Sequence, residues 1–232
     1  MSPDGQAILK NLGIVAAERG RRSLLPELKA RVVEVKRYQH ARFEATYGDL
    51  LASPRYTKAA RFFLEDLYGP RDFTLRDDQF ARIVPGLVRL FPANIVGTVR
   101  QLSELHALSE ELDSTMAAQF SGPGLDDPSY ALAWRATGRA ADRERQIVLM
   151  GSVGAALDRY TRNPLLRHSL RLMRGPAKAA GLSALHEFLE NGFDTFGAMR
   201  GAGDFLATIA SRERALAQRL FDGGSFKPAS AA

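Results

Sequence analysis

Residues 55–92 read RYTKAARFFLEDLYGPRDFTLRDDQFARIVPGLVRLFP, the densest run of large apolar side chains in the chain. Phe62, Phe63, Leu64 and Leu67 give one helix a broad apolar surface. Gly69-Pro70 stops it, because proline has no N–H to continue the ladder and glycine accepts the turn. Phe80, Ile83, Leu87, Leu90 and Phe91 then recur at helical spacing, so a second amphipathic helix follows at once. Two helices joined by so short a turn pack against each other, which points to a helical bundle. Pro85-Gly86 inside the second run predicts a kink.

Outward from this block the same pattern repeats. Ile8, Leu9, Leu12 and Val15 share one face of a helix over about 4–19, with Gly20 as its stop. A longer helix runs from about Pro26 to Leu51, with Ser23 as its expected cap and Arg31, Glu34, Lys36, Arg37 and Arg42 on what reads as a solvated face. Asn94 is set to cap a helix over about 95–120, where His106, Ser109, Glu110 and Asp113 form a polar line beside the apolar stripe Val99, Leu102, Leu105, Leu112 and Met116. SGPGLDDP, residues 121–128, is the best candidate seam. Asp127 and Pro128 open a helix that carries Trp134, the charged run Arg139 to Arg145 and Leu157. Asn163-Pro164 opens a short one, and two more are led by Leu182 and Asp204. Apolar residues never alternate with period two over a useful length, so no strand is expected. The reading is a compact all-α bundle of about eight or nine helices, for which a globin-like arrangement is one packing. It forms a single domain over 1–222 with a soft seam at 121–128, and a disordered tail over 223–232.

Composition narrows the function classes. A chain of 232 residues builds a sizeable core without staples, and it contains no cysteine. Disulfide frameworks, thiolate metal sites and cysteine nucleophiles are thereby excluded. Nothing resembles a signal peptide or a membrane span, so a cytoplasmic protein is expected. The net charge is +6, and only six of 32 basic residues are lysines. Interleaving with acids favours an Arg-rich composition over a nucleic-acid footprint, which stays a weaker expectation. Phosphate-binding loops, the G-x-S-x-G elbow and H-E-x-x-H are all missing.

Three features could carry chemistry. Leu102 to Glu110 and Leu182 to Glu190 echo each other, each placing a histidine and a glutamate four residues apart: His106 with Glu110, and His186 with Glu190. On neighbouring helices these four could hold a dimetal centre. Surface helix pairs are the commoner use of that spacing, and known dimetal bundles set Glu three before His. His106 alone could serve as an axial haem ligand, against the commoner role of a satisfied core histidine. Arg167, Arg171 and Arg174 share a stripe suited to an acidic partner.

ARFFLEDLYGPRDFTLRDDQF, together with LENGFDTF and FLATIASRERALAQRLF, resembles an uncharacterised proteobacterial all-α family with an FFLxDLYGP-type motif, over about residues 55–221. The resemblance implies an all-α fold and a bacterial origin and brings no activity. It also directs attention to the turn of Tyr68, Arg71 and Asp72 as a functional surface. The sequence reading is therefore a non-enzymatic helical binding or regulatory protein with an acidic or protein partner at Tyr68, Arg71, Asp72, Arg167, Arg171 and Arg174. The alternative is a metal- or haem-binding sensor or oxidoreductase.

Overall fold

A computed structural model describes residues 2–67, 73–121 and 124–226. In chain order its helices are α1 (Pro3–Leu24), α2 (Pro26–Thr46), α3 (Gly48–Ala52), α4 (Thr57–Phe62), a π turn (Phe63–Leu67), α5 (Thr74–Leu90), α6 (Ala93–Ala117), α7 (Asp127–Thr137), α8 (Ala140–Thr161), α9 (Pro164–Leu172), α10 (Arg174–Ala179), α11 (Ser183–Ala198) and α12 (Gly203–Phe221). No strand occurs among the described residues. The all-α expectation holds, with more helices than eight or nine: α3 stands apart from the long helix expected over Pro26 to Leu51, one expected helix divides into α7 and α8, and α10 fills the connection expected before Leu182.

The differences have local causes. α1 passes through Gly20 to Leu24, and Ser23 donates to the Arg19 carbonyl instead of capping α2. Proline at the first position of α2 makes a side-chain cap less necessary there. α7 and α8 were read as one helix. Gly138 parts them, with φ +65 at the end of α7, a left-handed conformation that glycine adopts without steric cost. The α7 cap is Asp126, which accepts from the Ser129 N–H, one residue before the expected Asp127. α5 continues through Pro85 to Leu90. Residues 223–226, expected in the tail, sit against the end of α12: Phe226 packs on the cluster around Trp134, and Gly224 N–H donates to the Arg219 carbonyl. Residues 227–232 lie outside the described set.

α6 is the hub, with α1, α2, α5, α7 and α8 all packed on it. Two large apolar clusters result. One gathers Phe43, Tyr47, Phe62, Phe63, Leu112, Met150, Phe196 and Phe205; the other gathers Leu28, Val35, Met116, Tyr130, Trp134 and Leu220. A third, smaller one joins Ile8 and Leu12 to Val84 and Val96. Leu112 is completely buried on α6 where it faces the first cluster. Truncation removes its packing on a hub helix that has little freedom to collapse, so Leu112→Ala should lower unfolding free energy by roughly 3 kcal/mol. Urea denaturation followed by circular dichroism measures it, with the midpoint falling at unchanged slope.

Candidate functional site

The polar line on α6 faces inward. His106, Ser109, Glu110 and Asp113 form one wall of a cavity of about 100 Å³ between the two large apolar clusters. α2 supplies Lys36, Gln39, Arg42 and Phe43; α7 supplies Tyr130 and Trp134; α8 supplies Arg143, Gln146, Ile147 and Met150; α12 closes it with Ile209 and Glu213. Lys36 and His106, each with 19% of the side chain exposed, and Glu213, with 20%, form its partly exposed rim.

Charges in this interior are mostly paired. The Glu110 carboxylate accepts from Arg22 and, at 3.0 Å, from Lys36, while Arg22 also donates to the Glu110 carbonyl at 2.5 Å and to Ser114 Oγ at 2.8 Å. Burial alone would raise the Glu110 pKa, but Lys36 and Arg22 outweigh it and hold the group at about 2. Arg42 donates to Glu213 at 2.7 Å, and Tyr47 donates to the same oxygen at 2.7 Å. Asp113 receives only Gln39 at 3.3 Å and a distant Lys36 at 3.8 Å, and burial pushes its pKa up. Beside the cavity, Asp77 joins His106 Nε2 and Arg19, each at 2.8 Å. Asp77 therefore holds a histidine and an arginine together.

Arg143 is different. It is 7% exposed and lies 4.0 Å over the Trp134 ring, and its hydrogen bonds go to neutral acceptors, Gln146 Oε1 at 3.0 Å and Met116 Sδ at 3.9 Å. Asp113 and Glu213 act on it through space without an ion pair, and desolvation drives its pKa down. Around it, Arg42 Nε, Tyr130 Oη and Trp134 Nε1 are buried with no hydrogen-bond partner, and all three residues line the same cavity. Buried donors without acceptors cost about 1–3 kcal/mol each.

The predicted site residues separate. Tyr68, Arg71 and Asp72 lie outside the described residues. His106 and Glu110 are both at the cavity, but His106 faces Asp77 and Glu110 faces Arg22 and Lys36. His186 is buried on α11, 3.6 Å from Glu190, whose carboxylate takes Arg174 at 2.9 and 3.1 Å. Among the described residues no three His, Asp or Glu side chains gather in a metal-holding group. Arg167 binds Asp194 at 2.6 Å, so two of the three stripe arginines are engaged by α11 and Arg171 is the one left over.

Sequence reading missed Lys36, Arg42 and Arg143 because charged side chains were assigned to water by default. A signal existed. Arg143 is four, seven and eleven residues before Ile147, Met150 and Gly154, on the buried stripe of α8, and Arg22 continues the α1 stripe seven residues after Val15.

The Glu110 pair sets an acid limit. Its folded pKa of about 2 lies below the ordinary 4.5, so its contribution is present above pH 4.5 and is lost as pH falls toward 2. Glu110→Gln should cost roughly 3 kcal/mol at neutral pH by leaving Arg22 and Lys36 short of a carboxylate. It should also flatten the acid limb of stability between those values, as urea titrations at a series of pH values will show.

Comparison with known proteins adds a family. A family model described as a domain of unknown function (DUF8198) matches residues 18–227, and the chain belongs to that family. No curated protein and no solved structure is significantly similar to it.

Proposed function

We propose, from geometry alone since the family assigns no chemistry, that the protein is a helical binding protein whose interior cavity takes a small, acceptor-rich anion, with an aromatic carboxylate the best-fitting class. The observation that carries this reading is Arg143, a buried guanidinium with no carboxylate in contact, beside three orphaned donors on Arg42, Tyr130 and Trp134. A carboxylate supplies acceptors and the missing negative charge together, and charge-assisted hydrogen bonds are the stronger kind.

Shape sets the size. A volume of about 100 Å³ is below the roughly 150 Å³ of a protein cavity that holds benzene. An aromatic ring therefore does not fit whole: the carboxylate reaches in toward Arg143 and the ring extends out through the partly exposed rim of Lys36, His106 and Glu213. Phe43, Phe63, Tyr130 and Trp134 offer apolar faces to a planar body. The metal or haem reading gains no supporting observation, since His106 Nε2 is already held by Asp77.

Trp134 is the only tryptophan in the chain, so its fluorescence reports the cavity without labelling. Benzoate should produce a saturable change in that emission, with affinity at least about tenfold weaker in Arg143→Met. The variant should melt at or above the parent temperature, because an unpaired buried charge is gone. A flat titration of the parent, or equal affinity in the variant, would reject the reading.

A further inference from the structure

α9 (Pro164–Leu172) is nine residues long and contains no buried residue, yet it displays Leu165 at 74% and Leu172 at 65% exposure, with Met173 at 54% just beyond its end. Leu165 and Leu172 are seven residues apart and so share a face. Arg167 and Arg171 occupy another, and Arg174 opens α10. Arg167 and Arg174 are tied to Asp194 and Glu190 of α11, so these arginines act as struts that fix which face of α9 points outward.

The surrounding sequence is one-signed. From Arg159 to His186 there is no Asp or Glu, in a chain with 26 of them, while Arg159, Arg162, Arg167, Arg171, Arg174 and Lys178 supply positive charge. Arg162 pairs with Asp158. Arg159, Arg171 and Lys178 are exposed and make no ion pair among the described residues.

We infer that α9 and α10 form a peripheral docking surface for an anionic phospholipid leaflet. The apolar side chains protrude from the surface. The indentation beside α9, lined by Arg167, Leu170, Arg171, Glu190, Phe193 and Asp194, is only about 10 Å³ and offers no groove to a partner helix or strand. Protruding leucines in a one-signed basic stretch fit an interface in which the apolar tips enter the acyl boundary and the cations remain among phosphates. This surface is independent of the cavity ligand, and no described helix is long and apolar enough to cross the membrane.

Co-sedimentation of the full chain with phosphatidylcholine vesicles, with and without phosphatidylserine, tests it. Binding should be on the order of tenfold or more stronger with phosphatidylserine and should weaken as salt rises. Leu165→Glu combined with Leu172→Glu should abolish it while circular dichroism and the melting temperature match the parent, because both side chains are exposed. Arg171→Glu with Lys178→Glu, also at exposed positions, should lose most of the preference for the anionic lipid. Equal sedimentation on both vesicle types, or binding that survives the leucine substitutions, would overturn the proposal. So would soluble polyglutamate binding as tightly as the vesicles, which would assign the surface to an acidic protein instead.

Discussion

The buried carboxylate of Glu110 is the constraint on which the rest of the interior depends. It collects Arg22 from α1 and Lys36 from α2 onto α6, and those three helices form the frame on which the other elements pack. A carboxylate in an apolar interior is costly unless its lone pairs are filled, and here Arg22 and Lys36 fill them, with Arg19 a further cation at 3.5 Å. The pairing also consumes the negative charge that could have gone elsewhere. Asp113, one turn on, is left with weak partners and a raised pKa, and Arg143 is left with no carboxylate in contact among the described residues. The open chemistry of the cavity is thus a consequence of how the frame is satisfied.

Arginine serves in three ways in this chain, and the differences come from burial. Arg212 with Asp49 and Arg214 with Glu144 are surface pairs of small energetic weight. Arg22, buried, and Arg42, largely buried, are paired, which locks helices together. Arg143 is buried and stacked on Trp134, with neutral acceptors only. A planar guanidinium suits this last role because it stacks on an aromatic face while its edge keeps donors free for a carboxylate.

Much of the fold was legible because it rests on period and punctuation. The stripe Ile8, Leu12, Val15 and the Asn163-Pro164 start both survive in the structure. Gly138 escaped notice because a lone glycine in a long amphipathic pattern is ordinarily tolerated, and only its left-handed backbone reveals the break. The site was half visible. His106, Ser109, Glu110 and Asp113 stood out as a polar line, and they do line the cavity. The opposite wall was hidden, since Lys36, Arg42 and Arg143 look like solvated residues until their register with the apolar stripe is weighed. The His/Glu echo is a matter of local spacing, which sets which residues share a helical face and says nothing about which helices meet.

Protein groups alone leave donors of this cavity unmet, on Arg42, Tyr130 and Trp134. The indole N–H of Trp134 gives one resonance in a spectrum of nitrogen-labelled protein, because the chain has a single tryptophan. On addition of benzoate that proton should shift downfield saturably, as the N–H gains an acceptor, with the guanidinium signal of Arg143 moving over the same concentration range. An indole resonance that stays in place at saturating benzoate, while surface arginine signals respond, would contradict it.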